Sequence, residues 1–374
     1  MKFGHLLFLV PVAMVGLTSC QEARDYRDHL DDYIYSMQYR DGFHILQLTD
    51  IHWSYNTSTQ SSKSYVAKVL AEAARHVDKI DLVEITGDLF MLANTYHVNQ
   101  FLDFFEEAAE QYGFKYAVIW GNHDHHGLYN PNWISERFSS AKNCIHIDPE
   151  DNLYGRSNFM INLTGDGTKN SLVKWQIANL DSGASFSESA VSPFRDYDYI
   201  RKDQTDWWVK EHAKAGEEVP GIAYYHIPQD ENLAAWNDIH EKGATYKNKF
   251  FKLEGFGDNG TEQYASDFLD VASQHNLKAA FMGHAHNDDW TVEYLGVTIG
   301  LGVKTGTELY FAHIDVSAVE GEMREGLDSV GINENFDLIG ASLVTLKDAS
   351  GSFDLEHLYY NERANEDFIR WVRW

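Results

Sequence analysis

The chain has 374 residues, is 44% hydrophobic and 14% aromatic, and carries a formal charge of −27. That composition supplies a sizeable core and excludes general disorder, while the acidic excess works against binding to nucleic-acid backbones. Two cysteines exclude a disulfide scaffold and a cysteine-built zinc or iron–sulfur site, so the chemistry is sought among the 18 histidines and 57 acids.

The first residues begin with Lys2, followed by an apolar run from Leu6 to Leu17 that Pro11 interrupts. The run is too short to span a bilayer and suits a signal-peptide core. It ends in Leu17-Thr18-Ser19-Cys20, which resembles a bacterial lipoprotein signal. The expectation is a signal peptide over residues 1–19, with Cys20 lipidated. The protein would then be exported and anchored to the outer face of a bacterial membrane, periplasmic or at the cell surface. Residues 20–41 are polar and tyrosine-rich and read as a tether. The folded domain is expected over residues 42–362, and the aromatic stretch 363–374 as a tail that docks on its own domain.

Along the domain, residues 43–49 form a short apolar strand. Val66, Val69, Leu70, Ala73 and Val77 then recur at helical spacing within residues 63–79. Residues 81–86 are a second strand. Val98, Phe101, Leu102, Phe105, Ala109 and Tyr112 mark a second helix over residues 98–112, and residues 115–120 a third strand. This βαβαβ order predicts parallel pairing with helices against the sheet. Further strands are expected at residues 222–225, 278–282, 290–294 and 297–301, with a helix after Ile200 and a turn at Leu295-Gly296. Cys144 reads as a small buried side chain.

In such sheets, ligands bind beyond the carboxyl ends of the strands. Those ends deliver Asp50 and His52, then Gly87-Asp88, then Gly121-Asn122-His123-Asp124, then His226, then Gly283-His284-Ala285-His286. Each piece alone is weak, since Asp-x-His and Gly-Asp occur by chance. Five in order, each at a strand end, point to a metal site.

With these motifs the sequence resembles the calcineurin-like metallophosphoesterases, over roughly residues 43–347. Residues 197–207 (YDYIRKDQTDW), Tyr225-His226-Ile227-Pro228 and Gly302-Val303-Lys304-Thr305-Gly306 resemble a branch related to purple acid phosphatases. The resemblance implies a four-layer α/β sandwich of two mixed β-sheets flanked by helices, built as a single catalytic domain. It also implies two metal ions (Mn, Fe, Zn or Co), the first held by Asp50, His52 and His286 and the second by Asn122, His226 and His284. Asp88 would bridge them, and a hydroxide shared by the ions would attack phosphorus in line. His123 would stand near the leaving group with Asp124 orienting it. Lys304 is a candidate contact for substrate phosphate. Two divalent ions, two carboxylates and a hydroxide leave the site at about +1, attractive to a small phosphoester. Purple acid phosphatases carry a tyrosine ligand three residues after the bridging Asp, where this chain has Met91. Trp53, Trp133, Trp236 and Trp290 lie near the motif loops and are candidates to stack on a base or sugar. The rival functions are an inactive, surface-tethered binding protein on the same scaffold, and a nuclease.

Overall fold

The computed structural model describes residues 33–53, 58–91, 93–125, 131–148, 153–186, 196–232, 234–235, 246–248, 266–361 and 367–373. The expected signal peptide with Cys20, most of the expected tether and Trp236 lie outside the described residues. Among the described residues, no helix is long and apolar enough to cross a membrane.

In chain order the strands begin with β1 (Ile34–Gln38), β2 (Phe43–Leu48), β3 (Leu82–Thr86), β4 (Lys115–Ile119), β5 (Cys144–Ile145) and β6 (Phe159–Thr164). Next come β7 (Val173–Asn179), β8 (Ser185–Phe186), β9 (Asp196–Tyr197), β10 (Gly221–Tyr224), β11 (Tyr246–Asn248) and β12 (Leu277–Met282). The chain closes with β13 (Thr291–Tyr294), β14 (Val297–Leu301), β15 (His313–Ile314), β16 (Phe336–Leu346), β17 (Phe353–Asn361) and β18 (Asp367–Arg373). The helices that cover the sheets are α1 (Ser58–His76), α2 (Thr95–Tyr112), α3 (Asn122–His125), α4 (Pro131–Ser139), α5 (Lys202–Ala215), α6 (Phe268–Ala272) and α7 (Gly321–Val330).

Two mixed eight-stranded sheets face one another. One runs β1-β6-β7-β10-β12-β14-β13-β11; the other runs β18-β17-β16-β2-β3-β4-β5, with β15 paired to β16. The period-two alternation of each strand assigns its faces. On β3, Leu82 joins the inter-sheet core with Ile45, Ile177, Ile222 and Phe281, whereas Val83 and Ile85 turn outward onto α1 and α2. Val66, Val69 and Leu70 on α1, with Val98, Phe101 and Phe105 on α2, fill that outer layer. On the other sheet, Trp208 of α5 and Phe268 and Leu269 of α6 do the same. The result is helix, sheet, sheet, helix: an α/β sandwich with a single inter-sheet core.

Most of the expected elements are present with shifted ends. Leu295 (φ 53°) and Gly296 (φ 78°) both adopt the left-handed conformation that a tight hairpin between β13 and β14 requires. Cys144 is fully buried. Two segments outside the expected domain limits also pair with its sheets. Residues 34–38, expected within the tether, form β1 and pair in parallel with β6, because Tyr35 and Met37 have the inter-sheet core on one side and Ile34 has the α5 side on the other. The expected tail contains β18, which pairs antiparallel with β17 and puts Trp371 against one core and Val372 against another.

Candidate metal centre

The site straddles the two sheets. Asp50 and His52 follow β2, Asp88 follows β3, and Asn122 opens α3 after β4. From the other sheet, His226 follows β10, and His284 and His286 follow β12. The β2 and β3 backbones stay paired past their ends: Asp50 N–H donates to Gly87 O (3.1 Å) and His52 N–H to Asp88 O (2.9 Å). This ladder holds the two acidic loops side by side.

Seven donor side chains converge into two groups. Asp50, His52, Asp88 and His286 are all buried, and one ligand atom from each lies within 4.8 Å of the others. His52 Nε2 is 3.1 Å from His286 Nε2, which is 3.2 Å from Asp50 Oδ1. In the second group, Asn122 Oδ1 is 3.2 Å from His226 Nε2 and 3.0 Å from His284 Nδ1. Asp88 joins the groups by turning one oxygen to each. Its Oδ2 is 3.7 Å from His52 Nε2, and its Oδ1 is 3.3 Å from His226 Nε2. The His52 and His286 rings aim Nε2 at each other beside a carboxylate oxygen, and both side chains are buried. Cations between these donors resolve that arrangement, so the residues fit two metal ions. The mixed oxygen and nitrogen set, without thiolate, suits borderline divalent ions.

The electrostatics agree. Burial opposes the charge of Asp50 and Asp88, yet the surrounding imidazoles, with the His286 contact first for Asp50 and His226 first for Asp88, hold both carboxyls well below the usual carboxylate range. Burial also opposes charge on His226, but Asp88 outweighs it and lifts that ring to about 9. Burial, then the His226 charge, pushes His284 down to about 3. Burial, reinforced by Lys304, pushes His52 well below its ordinary value. The pull of Asp88 on the His226 ring marks the place where a bound cation would balance that carboxylate.

The backbone is strained where the ligands sit. Asp50 (φ 52°), His52 (φ 48°), Asp88 (φ 50°) and His284 (φ 76°) all occupy the left-handed region, uncommon outside glycine and found at functional sites. The motif glycines permit close approach. A Cβ on Gly283 would lie 2.0 Å from Thr49 Oγ1 and 2.8 Å from Asp50 Oδ2; one on Gly121 would lie 2.3 Å from Asp88 N.

A supporting layer was not read from the sequence. Thr49 Oγ1 donates to Asp50 Oδ2 (2.8 Å), His284 N–H donates to the same oxygen (2.9 Å), and the His226 Nδ1 side meets Thr86 O at 2.8 Å. The last contact fixes the ring so that Nε2 faces the site. Thr49 stands directly before Asp50, the one signal that could have identified it.

The remaining candidates divide. His123 reaches the centre: its N–H donates to Asp88 Oδ1 (2.9 Å), its Nε2 lies 3.9 Å from Asp88 Oδ2, and its side chain is 32% exposed. Asp124 accepts backbone N–H groups from Gly121 (2.9 Å), Phe90 (3.1 Å) and Leu89 (3.2 Å), which staples the two motif loops together. Burial, then Asp88, raises its carboxyl to about 7. Lys304 is corrected: it is 2% exposed, and its ammonium donates to Asp50 O (2.7 Å). The pairing of Thr49 with Lys304 sets its backbone beside the strand end that carries Asp50. Two tryptophans are corrected as well. Trp53 and Trp290 are fully buried, and Trp53 packs on Phe101 and Phe104. Trp133 is partly buried against the core under α1 and α2. His125, next to Asp124 in the chain, pairs with buried Asp181 at 3.0 Å.

The profile of the calcineurin-like phosphoesterase family matches residues 43–288. Among curated proteins, the chain is similar to probable inactive purple acid phosphatase 29 of Arabidopsis thaliana, 23% identical over 300 residues, 72% of this chain and 73% of the relative. It is also similar to probable inactive purple acid phosphatase 28 of the same plant, 24% identical over 327 residues, 78% and 79% of the two chains. Among solved structures, a dimetal phosphatase from Danio rerio aligns over 85% of this chain and 96% of that one, at 13% identity and a TM-score of 0.48. Purple acid phosphatase PPD1 from yellow lupin (Lupinus luteus) aligns over 88% of this chain and 53% of that one, also at 13% identity and 0.48.

Proposed function

Because the chain belongs to the calcineurin-like phosphoesterase family, whose profile spans most of the domain, we propose that it is an exported, metal-dependent hydrolase of small phosphomonoesters or phosphodiesters. One observation carries the reading: Asp88 turns one oxygen to each of two donor groups that together contain all seven ligand residues the resemblance implies. When bound, two ions supply Lewis acidity and a water of lowered pKa.

The chain's own residues do the rest. Asp50, His52 and His286 hold one side, and Asn122, His226 and His284 the other, so a phosphoryl group is oriented across Asp88. His123 stands partly exposed beside the centre, placed to give a proton to the leaving oxygen. Asp124 fixes the loop that carries it. Lys304 and Thr49 hold Asp50 from below.

The membrane partnership belongs to the same proposal: lipidated Cys20 would hold the enzyme on the outer face of a bacterial membrane. No nucleic-acid partner is proposed. A second reading, a binding protein that has lost hydrolysis, draws on the names of the plant relatives. It is the weaker of the two because His123 and every ligand position are retained.

The test is a panel of nucleotides, sugar phosphates, phospholipid headgroups and diesters, with the protein loaded in turn with Mn, Zn, Fe and Co. Turnover of at least one ester, lost on chelation, is expected. Two bound metals with no turnover of any ester would leave the binding-protein reading in its place.

A further inference from the structure

Two tyrosine rings stand against the ligand histidines. Tyr310 lies 4.7 Å from His286, ring centre to ring centre, tilted by 40°, and is 54% exposed. Tyr197, partly exposed, meets His284 edge-on at 4.3 Å. His286 belongs to the first donor group and His284 to the second. Each half of the centre therefore carries an aromatic ring on its rim.

The chain is routed to produce this. After β14 it passes under the site, where Thr305 N–H donates to Thr49 O (2.7 Å) and Gly306 N–H to Asp50 O (3.2 Å). It turns back at Leu309, which takes a left-handed conformation (φ 62°) and is itself 44% exposed. Tyr310 is thereby placed on His286. Among the described residues, two cations near the motif loops, Lys304 and Arg201, are committed elsewhere. Lys304 is buried on Asp50 O, and Arg201 pairs with Asp198 (2.7 Å) while its guanidinium lies over the Tyr199 and Tyr154 rings. Among the described residues, what the rim offers a leaving group beside His284 and His286 is therefore flat aromatic surface.

We propose that Tyr310 and Tyr197 form a leaving-group subsite that selects phosphoesters of planar aromatic groups, a phenyl or heteroaryl ring, by stacking. This rests on the phosphoesterase reading, which puts the phosphoryl group between the two donor groups. Aromatic stacking contributes about 0.5–1.5 kcal/mol beyond area burial. That corresponds to up to about a tenfold preference for a planar over a puckered ring of the same size.

The experiment measures calorimetric affinities of the manganese-loaded full chain for phenylphosphonate and cyclohexylphosphonate, neither of which is hydrolysed. The wild type is expected to favour the phenyl compound up to about tenfold. Tyr310→Leu should cut that preference most, Tyr197→Leu should cut it less, and Tyr310→Phe should retain it. Equal affinities in the wild type, or an unchanged preference in both leucine variants, would overturn the subsite. Turnover of phenyl phosphate, measured separately, keeps the two ideas distinguishable. A phenyl preference lost in Tyr310→Leu supports the subsite even if no ester is hydrolysed, whereas turnover with no phenyl preference removes the subsite alone.

Discussion

At the scale of single residues, the centre depends on Asp88 more than on any other ligand, because it alone faces both donor groups. Asp88→Ala is therefore expected to abolish turnover and to lose at least one ion per chain by elemental analysis. Full activity in metal-stripped and reloaded Asp88→Ala protein would falsify the bridging role. His123 makes the opposite prediction. It borders the centre but is not one of the seven converging donors, so His123→Ala should keep both ions and lose about 10²–10⁴-fold in kcat, the usual range for a positioned acid. Metal loss equal to that of His226→Ala would move His123 into the ligand set. Met91 stands at the position that the resemblance to purple acid phosphatases gives to a tyrosine ligand.

Among the elements, β3 shows how a functional strand combines signals. Leu82, Glu84 and Thr86 face the other sheet; Val83 and Ile85 face the helices. Glu84 is fully buried, and neither carboxyl oxygen has a partner among the described residues, nor has the Tyr224 hydroxyl on the facing sheet. Burial pushes the Glu84 carboxyl well above its ordinary value of 4.5. A carboxyl raised on folding contributes stability that is complete below the unfolded pKa and is lost as pH rises toward the folded one. Glu84→Gln should therefore gain on the wild type as pH rises above 4.5, by up to about 1.4 kcal/mol per pH unit. Thermal melts from acid to neutral pH would show the gap opening; parallel curves would mean that Glu84 is hydrated and ionised throughout. The same strands explain what could be read beforehand. β2, β3, β4, β10 and β12 are short apolar runs ending in motif residues, so both strand and site were visible. β16 was not, because Gly340 packs against Leu358 O at a bulge and breaks the alternation. Nor was β1, whose tyrosines and polar residues read as a tether. The first turn of α1, Ser58-Thr59-Gln60-Ser61, has no apolar period, so the helix starts earlier than expected. The buried tryptophans and the rim tyrosines exchanged places because proximity to a motif in sequence does not say which face of a loop a ring takes.

For the whole molecule, location and charge decide what reaches the site. The proposed lipidation at Cys20 predicts incorporation of labelled fatty acid in a bacterial host and release into the soluble fraction on Cys20→Ser; equal membrane retention in the variant would put the anchor elsewhere. The last prediction follows from charge. The body carries −27, while two ions held by Asp50 and Asp88 leave the centre itself close to +1 once a hydroxide is counted. An approaching ester therefore meets long-range repulsion before short-range attraction, and the repulsion grows with its charge. Salt shortens the reach of that field from about 30 Å at 0.01 M to about 8 Å at 0.15 M. Over this range kcat/KM for a monoester should change little, whereas that for an oligonucleotide should start far lower and climb. Such a profile is opposite to that of a nucleic-acid enzyme, whose basic groove loses affinity as salt is added. An oligonucleotide kcat/KM that exceeds those of the small esters at low salt, and falls as salt rises, would mean that a basic surface guides it and that the acidic body is not what selects the substrate.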